Sequence, residues 1–341
     1  MKVEVFMQST FRERERDVLR HMYKGIKQDL IADDLGDEDV AIIKRMNKAM
    51  GLGTGVEFNY DDRGKGRYDL GVIFGSWKPE RKSPHHTVRS EVAQSDKPFL
   101  CIETQLLGRV MFQESEYHRV GVNGFLNEAA IFGLEKKYDG DRFQKLGFNY
   151  KGWRKEKGDK IVIALQLPGD ASLRGMDINE WCVWVLNQIT PITDRPIEIR
   201  THPGLSSKGV DAHLPVYQYL AFNNIKNVTF VSGKYTPWDQ QILDARCVIA
   251  YTSGLSIDAV LNGVPVIAGD PGNFTWGISS QDVKQFENPY IEDEGVVQDW
   301  LNTLAYCQWS KEEMASGEAW AHLKQPVHFA IDEYKKENES S

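Results

Sequence analysis

The chain has 341 residues, of which 41% are apolar, 26% charged and 11% aromatic, and its formal net charge is −8. That length exceeds one ordinary core and suits two α/β domains of roughly 150 residues each. The acidic balance argues against a protein that coats nucleic acid nonspecifically, though it does not exclude a local basic groove on an acidic body.

The opening MKVEVFMQSTFRERERD reaches charge before any apolar stretch of signal-peptide length, and no segment approaches the roughly 20 apolar residues of a membrane span. The chain therefore reads as cytoplasmic, with no integral membrane association. Cys101, Cys182, Cys247 and Cys307 lie far apart, with no CxxC pair and no Cys/His ligand spacing, which argues against structural zinc and against a disulfide framework. Cys182 and Cys247 sit in apolar contexts and read as small core residues.

In chain order, residues 1–7 alternate as a short strand, and 12–31 carry helical spacing through Val18, Leu19, Met22, Ile26 and Leu30. A second helix is expected over 37–50, with Asp37 as N-cap. YDLGVIF (68–74) and PFLCIET (98–104) are apolar runs of buried-strand type. Residues 140–159, rich in Gly, Lys and Arg, read as the interdomain crossover. Beyond it, strands are expected over 160–166, 196–200, 228–231, 247–251 and 265–268. They alternate with helices over 178–189, 216–222, 237–245 and 256–262. Such alternation makes a doubly wound domain whose ligands sit beyond the carboxyl ends of the strands. The expected division is 1–150, 151–330 and a frayed tail over 331–341.

Three segments follow strands and carry chemistry. QLPGDASL delivers Gln166, Asp170 and Ser172 at a strand end; Asp170 or Ser172 would equally serve as N-cap of the next helix. RTHP holds His202 extended before proline, where its imidazole can donate to a phosphate or transfer a proton, with Arg200 as a second donor. A histidine satisfied by backbone in a turn would look the same. In YTSGLSIDAVLNGVPVI, Thr252, Ser253 and Gly254 end a strand and open a helix, an arrangement that can hold phosphate oxygens. Gly263 is expected just past that helix. No Walker lysine or GxGxxG spacing accompanies it, which disfavours an ATPase or dehydrogenase. The glycine run 51–55 lacks the third glycine of a dinucleotide fingerprint and reads as a loop.

SGLSIDAVLNGVPVI resembles the S(G/S)xxxEAxxxGxPVI signature of GT-B glycosyltransferases and the related sugar-nucleotide 2-epimerases. Asp258 stands where that signature has Glu, a residue associated with ribose binding. QLPGDASL is similar to the QVxxDASI motif, and RTHP to the (R/K)PHP motif, of the capsule-polysaccharide synthesis proteins that include β-Kdo transferases. The resemblance covers about a third of the chain. It implies a GT-B fold, α/β with two Rossmann-like doubly wound domains facing across a cleft. It also implies a donor such as a UDP- or CMP-sugar, no prosthetic group and Asp170 and His202 at the donor site. Gln166, Ser172, Arg200, Thr252, Ser253, Gly254 and Asp258 would bind that donor. GT-B enzymes generally act without a metal ion, so the resemblance also implies metal independence.

The texture of PGDASLRGMDINEWCVWV and TDRPIEIRTHP also resembles bacteriophage proteins of this superfamily, some of which glycosylate hydroxymethylated pyrimidines in DNA. That implies transfer to phage DNA in the host cytoplasm, with a surface-polysaccharide transferase or a sugar-nucleotide epimerase as alternatives. Two basic loops suit a DNA acceptor: Arg63, Lys65 and Arg67 in one, and Arg81, Lys82, His85 and His86 in the other, with Trp77 nearby. A solvated charged loop accounts for them equally. Trp77, Phe112 and Tyr117 are candidates for the wedge that extrudes a base. Glu103, at the end of PFLCIET, is the expected base for an acceptor hydroxyl, ahead of Glu114 and Glu116; a salt bridge with Arg109 would also explain it.

Overall fold

The computed structural model describes residues 1, 3–6, 13–32, 68–75, 84–108, 115–127, 138–205 and 210–339. The chain forms two compact units. The first comprises Met1–Phe125, Ala129–Tyr138 and Thr303–Ser341, and the second Leu126–Glu128 and Asp139–Asn302.

The first unit holds a five-stranded sheet in the order β1-β2-β3-β4-β10. β1 (Val3–Val5), β2 (Leu70–Phe74) and β3 (Phe99–Thr104) are parallel, whereas β4 (Tyr117–Val122) and β10 (Gln308–Ser310) pair antiparallel. β2 is buried along its whole length, as its unbroken apolar run requires. Helix α1 (Glu13–Ala32) turns Val18, Leu19, Met22 and Ile26 into the core, the stripe expected from their spacing. The backbone of α2 (Pro84–Ala93) follows, and from it Arg89 meets Glu15 of α1 in a buried pair at 3.2 Å. Gly75 ends β2 at φ +88°, the left-handed region that favours glycine, and the Arg89 guanidinium packs against it.

The last part of the chain completes this sheet. The buried amide of Gln308 accepts from the backbone N–H groups of Leu106 and Leu107, both at 2.8 Å, fastening β10 beside the exit of β3. α9 (Lys311–Ser316) starts with a capping box between Ser310 and Glu313. α10 (Glu318–Glu339) packs Trp320, Leu323, Val327 and Ile331 into the same core. Residues 331–341 were expected as tail, but the helix runs through EYKKENE to Glu339 because Val327, Ala330 and Ile331 still face the core.

The second unit is a fully parallel five-stranded sheet in the order β7-β6-β5-β8-β9. Its strands are β5 (Lys160–Ala164), β6 (Ile197–Thr201), β7 (Val228–Ser232), β8 (Ala245–Ala250) and β9 (Val266–Ala268), at the positions expected from their apolar runs. The helices are α3 (Asp141–Lys145), α4 (Ile178–Ile189), α5 (Leu214–Phe222), α6 (Trp238–Ile242), α7 (Leu255–Leu261) and α8 (Glu294–Leu304). α4 presents Trp181, Cys182, Val185, Leu186 and Ile189 to a core shared with Ile161, Ile163, Ile197, Ile199 and Ile249. Gly263 follows α7 at φ +70°, the left-handed position that stops a helix.

Residues 140–159, expected as a crossover, belong to the second unit from Asp139 onward. The Trp153 indole donates to Glu292 O at 2.8 Å, and Arg154 donates to Asn262 O, Ile242 O and Leu243 O at 2.8 to 2.9 Å. Arg154, which looked like linker, thus caps the C-terminal ends of α6 and α7. All four cysteines are buried and free, and burial raises each thiol well above its ordinary pKa.

Candidate active site

Strand order places the topological switch point of the second unit between β5 and β8, whose connections leave in opposite directions along the sheet. In such sheets ligands bind at the carboxyl ends flanking that point. Gln166 follows β5 and Thr252 follows β8, and their side chains join the two exits. Gln166 Nε2 donates to Thr252 Oγ1 at 2.9 Å and to Ser172 Oγ at 2.5 Å, while its Oε1 accepts the Thr252 N–H at 3.1 Å. Thr252 Oγ1 donates to the Ser172 carbonyl at 2.9 Å. Ser172 Oγ donates to Asp170 Oδ1 at 2.6 Å, and the same oxygen accepts the Ser172 N–H at 2.9 Å. Asp170 therefore caps the short 3₁₀ turn Ala171–Leu173. The network brings together four of the residues expected at the site. It also commits the hydroxyl protons of Ser172 and Thr252 inside the protein, so both shape the crevice.

A second chain of bonds starts beside Thr252. The Ser253 carbonyl accepts from Ser256 Oγ at 2.8 Å, and Ser256 Oγ lies 2.7 Å from Asn273 Oδ1. Asn273, fully buried, donates through Nδ2 to Tyr251 O at 3.1 Å and Ala250 O at 3.3 Å and accepts from Thr275 N at 3.1 Å. Its own N–H donates to Asp270 O at 2.9 Å. Asp270 Oδ1 takes the Gly272 N–H at 2.8 Å and is ion-paired with Arg174. Arg174 stands in the left-handed region (φ +51°) just after the Asp170–Ser172 turn, which closes the ring around the exits of β5, β8 and β9. Arg174, Asp270 and Asn273 had not been singled out. The rule that pointed to the other strand ends applies equally to GDPGN after β9.

The remaining expected residues divide. Ser253 is buried, its Oγ lies 3.4 Å from the Leu255 N–H, and among the described residues no acceptor takes its own proton. Gly254 has ordinary helical angles (φ −62°, ψ −14°), so the backbone does not demand glycine there, and what glycine supplies is the missing side chain. Asp258 sits half-buried on α7, its carbonyl accepting the Asn262 amide at 2.8 Å. His202 follows β6, and its Nδ1 accepts the Gly204 N–H at 3.0 Å. That bond requires an unprotonated Nδ1, so the neutral ring carries its hydrogen on Nε2 as a donor. Arg200, expected as a phosphate donor, turns into the fold instead. It is 5% exposed and donates to Thr236 O and Gln241 Oε1 at 2.8 and 2.7 Å and to Gly233 O at 3.2 Å, with burial lowering its pKa.

In the first unit Glu103 Oε2 accepts the Thr104 N–H at 3.0 Å and faces Arg119 at 4.0 Å across the β3–β4 register. The cation beside Glu103 is thus Arg119 of β4, whereas Arg109 lies outside the described residues. Arg63, Lys65, Arg67, Trp77, Arg81 and Lys82 also lie outside them, as do Phe112, Glu114, the expected helix 37–50 and the glycine run 51–55. His85 and His86 fall within the backbone of α2. Among the described residues no group of three or more His, Cys, Asp or Glu is arranged to hold a metal ion, and no helix is long and apolar enough to cross a membrane.

No family model and no curated protein matches the chain. Solved structures do. The KpsC β-Kdo 2,7 transferase of Thermosulfurimonas dismutans is similar at a TM-score of 0.51 and 13% identity, over 94% of this chain and 99% of that one. The KpsC β-Kdo 2,4 transferase of the same organism matches at a TM-score of 0.49 and 14% identity, over 90% of each chain. A UDP-GlcNAc 2-epimerase of Methanocaldococcus jannaschii gives 0.29 and 11%, over 95% and 99%. With its two parallel-rich α/β sheets, the chain has the GT-B fold.

Proposed function

We propose that the chain is a glycosyltransferase that draws on a nucleotide-sugar and delivers the sugar to a hydroxyl of a glycan. The observation that carries the reading is the hydrogen-bonded ring at the switch point, which gathers Asp170, Ser172, Gln166, Thr252 and Ser253 from separate segments onto one rim. In the proposed site Ser253 Oγ–H and His202 Nε2–H donate to the diphosphate, stabilising by hydrogen bonds the charge that develops as the leaving group departs. Asp170 stands against the sugar. Gln166 and Thr252 hold the two strand exits in register beneath it.

A glycan acceptor is preferred to hydroxymethylated DNA. One fold neighbour is by name a β-Kdo transferase. The test is to incubate the protein with UDP- and CMP-sugars in the presence of oligosaccharides or of hydroxymethylated DNA, and to weigh the products. A mass gain on a saccharide is expected, and Asp170→Ala and His202→Ala should abolish it without lowering the melting temperature by more than a few degrees. Full activity in both variants would remove the assignment. Mass added to DNA alone would replace the acceptor.

A further inference from the structure

A cavity of about 580 Å³ lies within the first unit, and its lining includes none of the residues placed at the donor site. Arg14, Asp17 and Val18 of α1 form one wall, Ser115 through His118 at the start of β4 a second, and Ser310 through Glu312 a third. β4 enters the sheet beside the exit of β3, with His118 paired to Thr104. The cavity therefore opens at the end where the parallel strands β1–β3 leave the sheet, the end at which α/β proteins receive ligands. Its size falls within the roughly 300–1,000 Å³ of small-molecule sites.

The lining is polar and of both signs. Asp17, Glu116 and Glu312 supply carboxylates, and Arg14 and Lys311 supply cations. Lys311 Nζ donates to Asp17 Oδ2 at 2.8 Å, which holds the Asp17 carboxyl below its usual range. His118 is kept neutral, its pKa lowered to about 4 by burial and then by the nearby Lys311. Carboxylates thus outnumber cations, a poor match for a phosphate backbone or another polyanion. Two groups are unspent among the described residues: Ser115 Oγ is buried without a hydrogen-bond partner, and Glu116 makes no hydrogen bond or ion pair. A carboxylate with both oxygens available accepts from neighbouring hydroxyls, ammonium and guanidinium groups donate back, and the Tyr117 ring offers an apolar face. Alternating hydroxyls above a face of C–H groups are the surface of a sugar.

We propose that this cavity binds an uncharged saccharide unit, with Glu116 and Tyr117 as its principal contacts. The inference rests on the transferase reading only in naming the bound sugar as the acceptor; binding itself is independent of it. The experiment is saturation-transfer NMR on the full chain with methyl α-glucoside, methyl β-galactoside, N-acetylglucosamine and maltotriose. UDP and CMP are titrated into the same samples, and a short hydroxymethylated DNA duplex is offered as competitor. At least one saccharide should bind, and Glu116→Gln and Tyr117→Ala should each weaken it by roughly tenfold, the scale of one hydrogen bond to a charged group, at unchanged nucleotide affinity. Unchanged melting curves keep loss of fold out of that comparison. If a nucleotide binds but no saccharide does, if both variants bind saccharide as the wild type does, or if the duplex displaces it, the proposal is overturned. If neither nucleotide binds, the transferase reading falls by itself.

Discussion

Asn273 is the residue through which the ring at the switch point can be broken most cleanly. It is fully buried; its amide donates to two carbonyls, and its oxygen lies within reach of Ser256 Oγ, Thr275 N and Thr275 Oγ1. Truncation to alanine spares some partners. Ala250 O keeps the Gly269 N–H at 2.9 Å, and Ser256 Oγ keeps the Ser253 carbonyl at 2.8 Å. The donor to Tyr251 O is lost, together with the acceptor for both Thr275 groups. At about 1–3 kcal/mol for each buried group left unsatisfied, with values near the lower bound where the site relaxes, Asn273→Ala should lose roughly 3–5 kcal/mol. Asn273→Asp gives the sharper comparison. It is nearly isosteric and retains the acceptor for Thr275, but it turns a carboxylate oxygen toward two carbonyls and has no proton to give unless it is neutralised. It should therefore destabilise at least as much as alanine at neutral pH and recover part of the deficit in acid. Urea unfolding of the three proteins at pH 7 and pH 5 measures both effects. A loss below about 1 kcal/mol for alanine, or an aspartate variant as stable as wild type at pH 7, would refute the account of the ring as a tightly satisfied network.

Two further outcomes are expected. His118 and His213, one in each unit, are held neutral by burial with pKa values lowered to about 4. Their folded values lie below the unfolded value of about 6.5, so their contribution is complete above pH 6.5 and is withdrawn as pH falls toward 4, by up to roughly 1.4 kcal/mol per pH unit for each histidine. A urea midpoint that stays flat between pH 7 and pH 5 would contradict this. Arg174, 39% exposed along its side chain, is held by Asp270 on the rim, whereas Arg200 is buried among carbonyls. Arg174→Met and Asp270→Asn should both raise the Kd for UDP or CMP, the former by roughly tenfold, the scale of a charge-assisted bond. Arg174→Lys should recover only part. Equal nucleotide affinity in Arg174→Met would show that the guanidinium does not face the ligand.

Three strands of the second unit were legible because their apolar runs, IVIA, CVIA and VIA, are buried between turn residues, whereas β6 (IEIRT) and β7 (VTFVS) read as strands from alternating apolar and polar residues. β4 and β10 were not. YHRVGV opens on polar residues and is buried without alternation from Val120 to Val122, and QWS is too short to carry a period. At the site, strand-end position identified Asp170, Ser172, Thr252 and His202 as neighbours of a crevice, since topology alone sets that much. Side-chain direction is another matter. Arg200 and His202 are two residues apart on one strand exit, yet one enters the fold and the other caps a turn. The Arg174–Asp270 pair joins positions 96 residues apart, and no local pattern in either segment announces the other.

The first unit is assembled from both ends of the chain, with the second inserted between them. On a ribosome its sheet must wait, four strands long, until the whole second unit has emerged and Gln308, Trp309 and Trp320 arrive to finish it. The inserted unit has its strands contiguous in sequence and can close during that wait. A nascent chain halted near residue 302 would therefore hold a finished guest within an unfinished host, with the exposed flank of β4 open to any passing strand.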